Sequence, residues 1–194
     1  MMEKQKVIEF FDSLAETWDE HLVIDEEIIR KILDNVGVKE GDRILDVACG
    51  TGVLIPFYLE RGASFVTAID ISPRMCEIAG KKNENEKVKI ICDDVFLHPF
   101  EESYDRIVIY NAFPHFDDPE GLIRILSDLL KENGTLTVAH GMSREKVLLH
   151  HRDVMDVSRI LPEIADLGKM MEESLNVTVA VSDDKMYQAV GKRR

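Results

Sequence analysis

This 194-residue chain lacks most of the features that mark membrane, secreted or nucleic-acid-binding proteins. No apolar run approaches the roughly 20 residues that cross a bilayer, and the first residues lack the apolar core of a signal peptide. Its 24 basic residues face 37 acidic ones, which gives a net charge of -13. This balance disfavours nucleic acid and anionic membranes, because both are bound by clusters of Lys and Arg. We therefore expect a cytoplasmic protein, with a homodimer left open.

Cysteine is also scarce. Cys49, Cys76 and Cys92 are far apart and form no C-x-x-C pair, so the sequence predicts neither a zinc site nor a disulfide framework. No metal is assigned on these grounds. The length fits one domain over residues 1–194, and a hydrophobic share of 45% is enough for a normal core.

The most informative segment that is present is a glycine turn after a short apolar strand, LDVACGTG at 45–52. Its two glycines have no Cβ, so a ligand can approach the backbone closely. A dinucleotide site would carry a third glycine where Ile55 stands. Instead Asp46 precedes the turn and Asp70 ends the next strand, where a carboxylate can accept from both hydroxyls of a ribose. The pattern indicates an adenosine-like ligand without a pyrophosphate.

These motifs, in this order and spacing, resemble the class I S-adenosylmethionine (SAM)-dependent methyltransferases. Residues 45–52 resemble the first motif of the family, and Asp70 resembles its ribose-binding acid. Residues 92–95 resemble the segment that contacts adenine, and 104–111 resemble the fourth-strand motif. The resemblance extends to the small-molecule group that includes quinone-biosynthesis methyltransferases. It implies SAM as the cofactor and methyl transfer to a small-molecule acceptor.

The resemblance also implies which residues contact the cofactor. Asp46 would lie near its methionine part, and Asp70 would bind its ribose. Asp94 would accept from the exocyclic amine of adenine, and the backbone carbonyl of Asn111 would hold the ammonium group. The full expected set is Asp46, Ala48, Gly50, Gly52, Asp70, Ile71, Met75, Asp94, Val95 and Asn111.

Alternation of strand and helix patterns predicts an α/β, doubly wound, Rossmann-like fold with helices on both faces of a mostly parallel sheet. The resemblance implies seven strands, with an antiparallel strand at the C-terminus. Residues 1–24 are expected to form a helix, regular over 4–20, that covers the cofactor. A later helix is expected from Asp118 to Leu130 and to end at Asn133-Gly134, and two strands at 177–181 and 186–190 are expected to form a hairpin.

Three histidines are candidate catalytic residues: His140, His115 and His151. His115 and His140 follow the fourth and fifth strands, so both could face the transferred methyl group. His151 falls on a helix predicted after Ser143, whose apolar stripe would be Val147, Leu148, His151, Val154 and Met155. Three alternatives stand: His140 or His115 acts as a general base, the three bind a metal or a metal-bound substrate, or they are structural.

The alternatives for function are a SAM-binding sensor or interaction protein that transfers no methyl group, and a metal-dependent methyltransferase that uses the histidines. Methylation of protein or nucleic acid is disfavoured by the acidic charge. The segment Asn111-Ala112-Phe113-Pro114 also lacks the aromatic residue that follows the prolines in base and amide methyltransferases.

Overall fold

A computed structural model describes residues 4–152 and 156–194, and they form one seven-stranded sheet with the order β3-β2-β1-β4-β5-β7-β6. The strands are β1 (Arg43–Val47), β2 (Phe65–Asp70), β3 (Val88–Cys92), β4 (Tyr104–Tyr110), β5 (Leu130–His140), β6 (Leu175–Ser182) and β7 (Tyr187–Arg193). Strands β1 to β5 pair in parallel, and β7 is antiparallel to both β5 and β6. The predicted doubly wound fold, with its antiparallel final strand and terminal hairpin, is confirmed.

Helices pack on both faces of this sheet because its central strands are apolar on both sides. The helices are α1 (Lys4–Leu14), α2 (Trp18–His21), α3 (Glu26–Val36), α4 (Ile55–Glu60), α5 (Pro73–Lys82), α6 (Pro119–Asp128), α7 (Arg144–His151) and α8 (Ile164–Glu172). On one face, α6, α7 and α8 contact core residues such as Leu45 and Ile107. On the other, α3 and α4 contact Ile44 and Val108. Among the described residues, no helix is long and apolar enough to span a membrane.

The helix that was expected to continue to Leu130 ends earlier. Helix α6 stops at Asp128, and Leu130 already begins β5, where it is fully buried and pairs with Tyr104. The predicted terminator, Asn133-Gly134, lies inside β5, next to a shift in the register of β4 against β5. Asn133 adopts a φ of 65° there. The apolar pattern was misleading because Leu130 is as suitable for a buried strand as for a buried helix face.

The N-terminal helix is interrupted. A 3-10 turn (Ala15–Thr17) separates α1 from α2 and packs against α5, where Ala15 is buried. The prediction of helix after Ser143 is confirmed by α7, since the Ser143 hydroxyl accepts from the Lys146 N–H at 3.4 Å. Val154 and Met155, which were expected to extend its apolar stripe, lie outside the described residues, as do residues 1–3.

Candidate functional site

A cavity of about 580 Å³ lies at the carboxyl ends of β1, β2 and β4, with the N-terminal helices over it. Eight of the ten expected cofactor residues line it: Ala48, Gly50, Asp70, Ile71, Met75, Asp94, Val95 and Asn111. Among the candidate histidines, His115 is part of the lining. Asp46, Gly52, His140 and His151 are not. The cavity lies where ligands bind in doubly wound folds, outside the strand ends.

The glycine turn that follows β1 forms one wall of this cavity. Three of its residues have left-handed backbone conformations: Ala48 (φ 54°), Gly50 (φ 54°) and Gly52 (φ 79°). Gly52 is needed for packing, since a Cβ there would come within 2.5 Å of the Asn83 amide at the end of α5. Gly50 carries an N–H that points at a carboxylate, so its role is to bring backbone close to that acid.

That carboxylate belongs to Asp70, which joins the ends of β1 and β2. Asp70 Oδ2 accepts from the Gly50 N–H at 2.8 Å, and Oδ1 accepts from the Ser72 N–H at 2.9 Å. Burial raises the pKa of Asp70, while hydrogen bonds from backbone N–H groups oppose the rise. The side chain therefore holds the glycine turn in place and still lines the cavity.

Asp46 lies beneath this wall. Its neighbours Leu45 and Val47 belong to the core on the α6 side, and strand alternation therefore directs Asp46 to the opposite face. It is 2% exposed, and burial, with a further contribution from the Asp70 charge, raises the pKa of Asp46 to about 8. Tyr58 of α4 also lies on that face, and its buried hydroxyl has no hydrogen-bond partner within the described part of the chain. At neutral pH the Asp46 carboxyl is mostly protonated.

The two acids after β3 have different partners. Asp93 accepts from His98 Nδ1 at 2.9 Å, and this hydrogen bond lowers the pKa of Asp93. Asp94 accepts from the Phe96 N–H at 2.9 Å and forms an ion pair with Lys4 of α1. The expected adenine contact is thus also an attachment point for the N-terminal helix.

Two further acids attach the N-terminal helices to the sheet, a role that sequence reasoning did not assign to either of them. Asp12 accepts from the Ser72 hydroxyl at 2.5 Å and from the Arg74 N–H at 3.1 Å. Asp19 accepts from the Thr51 hydroxyl at 2.6 Å and from Lys82 at 2.5 Å. These contacts hold apolar side chains of the same N-terminal segment, Val7, Phe11, Trp18 and Leu22, against the cavity. The sequence places both acids on the predicted N-terminal helix but does not indicate what they bind.

On the opposite wall, Asn111 follows β4 in a left-handed conformation, with φ of 55°. Its side-chain Oδ1 accepts from the Gly141 N–H at 3.0 Å, and its own N–H donates to the Ala139 carbonyl at 2.8 Å. Asn111 therefore connects the ends of β4 and β5, and asparagine tolerates this backbone conformation better than most residues.

His115 has a defined tautomer. Its Nδ1 lies 2.7 Å from the Val157 carbonyl oxygen, which can only accept, so Nδ1 carries the proton and Nε2 keeps its lone pair. The ring packs edge-on against Phe11, with 4.9 Å between centroids. Burial lowers the pKa of His115 to about 4. The imidazole is neutral at pH 7, as a proton acceptor must be.

His151 and His140 lie behind His115. The His151 ring centroid is 4.9 Å from that of His115, and its Nδ1 is hydrogen-bonded to the Ser158 hydroxyl at 2.7 Å. Burial lowers the pKa of both residues, to about 3 for His140. His140 is 2% exposed, and its Nε2 has no partner among the described residues. Only His115 of the three candidates is placed to meet a molecule in the cavity.

No group of three or more His, Cys, Asp or Glu side chains in the described ranges is arranged to hold a metal ion.

Known proteins are similar to this chain in sequence. Residues 45–138 match a family described as "Methyltransferase domain". The chain is 30% identical over 139 residues to malonyl-[acyl-carrier protein] O-methyltransferase of Acetivibrio thermocellus. This match covers 70% of this chain and 49% of that protein. It is 34% identical over 107 residues to ribosomal RNA small subunit methyltransferase A of Mesomycoplasma hyopneumoniae. That match covers 55% of this chain and 40% of the relative. The chain thus spans about half, or less, of the length of these relatives.

The fold is also that of solved structures. In the complex between the Haloferax volcanii Trm112 methyltransferase activator and the putative methyltransferase, a chain superposes with a TM-score of 0.80 at 19% identity. The match covers 96% of this chain and 97% of that one. At this identity the likeness concerns the fold.

Proposed function

We propose that this chain, which belongs to the class I SAM-dependent methyltransferases, transfers a methyl group from SAM to a small-molecule acceptor. The observation that carries the proposal is the glycine turn held by Asp70 at the edge of a largely apolar cavity. When bound, SAM would supply a methyl group on a reactive sulfonium. The protein has to hold the two reactants in line, exclude water and, for some acceptors, remove a proton.

Within this proposal the cavity residues have distinct tasks toward the cofactor. Asp70 binds the ribose hydroxyls, and Ala48 and Gly50 present backbone beside the methionine part. Ile71, Met75 and Val95 enclose the adenine, and Asp94 accepts from its amine. The Asn111 carbonyl accepts from the ammonium group. Asp46 and Gly52 act from behind the wall, Asp46 as a carboxyl that favours a positive charge once it is ionised and Gly52 by allowing the turn to pack.

We assign proton acceptance to His115. Its Nδ1–H is engaged by the Val157 carbonyl, which leaves Nε2 as the only ring atom that can take a proton. The ring also lines the cavity, whereas His140 is enclosed and His151 is not part of the lining. Acceptors that lose a proton, such as thiols and phenols, would need this group; a carboxylate, already ionised at pH 7, would not.

The test combines calorimetry of SAM with release of S-adenosylhomocysteine across thiols, phenols, amines and carboxylates. His115→Gln should lower kcat about a hundredfold for thiols or phenols, with an unchanged Kd for SAM. His150→Gln, on the exposed side of α7, is the matched control and should keep full turnover.

Absence of SAM binding would refute the proposal as a whole. Full activity of His115→Gln on a thiol or phenol would refute only the assigned base. Tight SAM binding with no turnover across the panel would favour the alternative of a SAM-binding sensor or interaction protein.

A further inference from the structure

Two of the three cysteines meet at one end of the sheet, although they are far apart in the sequence. Cys76 is buried in the first turn of α5, and Cys92 is exposed at the end of β3, an outer strand of the sheet. Helix α5 is the crossover between the parallel strands β2 and β3, so its first turn packs beside the ends of both strands.

The Cys76 thiol has a defined position between these two strands. Its Sγ lies 3.4 Å from the Asp70 carbonyl oxygen and 3.6 Å from the Ile91 carbonyl oxygen, and both oxygens accept from the thiol. Asp70 and Cys92 are partners in the parallel pairing of β2 and β3, and Ile91 directly precedes Cys92. The sulfur of Cys76 is therefore held at the backbone of Cys92.

The two side chains also interact with each other. Burial raises the pKa of the Cys76 thiol, and the charges of Asp70 and Cys92 and a hydrogen bond between the two thiols raise it further. One member of the pair is enclosed and the other is open to solvent. A small oxidant can therefore reach Cys92, and the sulfur that would complete a disulfide is already beside it.

This cysteine pair lies directly behind the wall of the main cavity. Met75, which precedes Cys76, and Asp93, which follows Cys92, both line the cavity. Asp70 lines it as well, and its carbonyl accepts from the Cys76 thiol. A movement of the first turn of α5 against the end of β3 therefore changes the shape of the cavity.

We propose that Cys76 and Cys92 form a site of reversible oxidation, at which a peroxide converts the two thiols to a disulfide that weakens SAM binding. Formation of the disulfide is independent of the proposed function, whereas its effect on the cofactor rests on that function.

Oxidation begins at Cys92, because Cys92 is exposed while Cys76 is buried. The Cys92 sulfur attacks one oxygen of hydrogen peroxide, the O–O bond breaks, and a sulfenic acid and one water form. The Cys76 sulfur then attacks the Cys92 sulfur, the S–O bond breaks, and the oxygen leaves as a second water that includes the Cys76 proton. The two thiols together lose two electrons, and the peroxide is reduced to water.

The disulfide weakens SAM binding for two reasons. An S–S bond of about 2 Å is shorter than a contact between two thiols, so it draws the first turn of α5 toward the end of β3. A disulfide also has no proton, so the Asp70 carbonyl loses its hydrogen bond from Cys76. Linkage requires that SAM, in turn, favours the reduced protein by the same factor.

The experiment measures the Kd for SAM by calorimetry on the reduced protein, after hydrogen peroxide, and after subsequent dithiothreitol. We expect the Kd to rise at least about fivefold on oxidation and to return with dithiothreitol. Trypsin places Cys76 in peptide 75–81 and Cys92 in peptide 90–106, and mass spectrometry should find these two peptides joined. In a glutathione redox buffer, saturating SAM should lower the ratio of disulfide to thiol by the factor seen in the Kd.

Cys92→Ser is the matched control, since it keeps every methionine but removes the partner of Cys76. Its Kd for SAM should be the same before and after peroxide. Cys76→Ala should likewise form no link and show no change with peroxide.

The absence of a link, or a link that involves Cys49, would overturn the proposed pair. A linked protein that binds SAM as tightly as the reduced protein would overturn the effect on the cofactor. A loss of affinity that Cys92→Ser shares, or that dithiothreitol does not reverse, would indicate oxidation of a methionine such as Met75 and would also count against the proposal. If the reduced protein binds no SAM, the proposed function fails, and the peptide map still decides whether the disulfide forms.

Discussion

The glycine-turn wall and the histidine wall of the cavity are built in opposite ways. The first consists of backbone groups from one short stretch, 48–52, held by a carboxylate 20 residues further along from Gly50. The second is the imidazole of His115, which follows β4 and is supported from behind by groups of distant segments: the His151 ring at the end of α7 and the Val157 carbonyl in the connection to α8. A wall made of backbone needs a fixed local pattern, whereas a wall made of side chains needs only that the fold bring them together.

The two walls also have opposite responses to protons, from one cause. Burial disfavours the charged form of any group. It raises the pKa of Asp46 to about 8 and lowers that of His140 to about 3 and that of His115 to about 4. At neutral pH Asp46, His115 and His140 are therefore mostly uncharged. The raised pKa of Asp46 therefore makes the protein less stable as pH rises, and the lowered pKa values of His115 and His140 make it less stable as pH falls.

The largest effect is expected from Asp70→Ala. It removes the acceptor of the Gly50 and Ser72 N–H groups, and each buried N–H left without a partner costs about 1–3 kcal/mol. We expect a loss of about 2–5 kcal/mol in the free energy of unfolding, with SAM binding lost as well. Urea unfolding and calorimetry measure the two effects.

Asp183→Ala is the matched control for this prediction. Asp183 likewise accepts from two backbone N–H groups, those of Lys185 and Met186, but in an exposed hairpin where water can replace it. Its variant should keep SAM affinity and lose less stability. Equal losses for the two variants would show that the glycine turn does not depend on its carboxylate.

Asp46→Asn should stabilise the protein at high pH. The pKa of Asp46 is raised to about 8 in the folded chain, so between pH 4 and 8 folding retains a proton that the unfolded chain releases. The stability that this carboxyl contributes is complete below pH 4 and is lost as pH rises through 8. The variant should match the parent at pH 4 and exceed it by about 2–4 kcal/mol at pH 8.5.

Thermal unfolding across this pH range measures the difference. A gain that is the same at pH 4 and pH 8.5 would contradict the assigned cause. We expect the variant to bind SAM more weakly at pH 8.5, where the ionised carboxyl of the parent favours the ammonium group.

The smallest of the three effects is expected from His140→Phe. The pKa of His140 is lowered to about 3, so below pH 6.5 the unfolded chain binds a proton that the folded chain does not. Stability is complete above pH 6.5 and is lost as pH falls toward 3. Phenylalanine removes this loss and still packs against Tyr187, whose ring centroid lies 6.0 Å away. Relative to the parent, the free energy of unfolding of the variant should be about 1–2 kcal/mol higher at pH 4.5 than at pH 7.5. A difference between variant and parent that does not change with pH would contradict the assigned cause.

Much of the fold could be predicted because its elements are marked by local chemistry. Asp25, Ser72, Asp118 and Ser143 cap their helices as their residue types favour. The boundary between α6 and β5 was wrong because apolar periodicity does not separate a buried strand from a buried helix face. The cofactor assignments remain predictions, although eight of the ten residues do line one cavity.

The amino-acid sequence by itself determined the doubly wound fold and the place of the glycine turn, because strand period, helix caps and left-handed positions are set by neighbouring residues. Only the tertiary structure decided that His115 lines the cavity while His140 is enclosed, that Asp12 and Asp19 hold the N-terminal helices, and that Cys76 and Cys92 are in contact. These facts depend on side chains far apart in the chain. Their proximity follows from how the helices pack on the sheet, which no local pattern records.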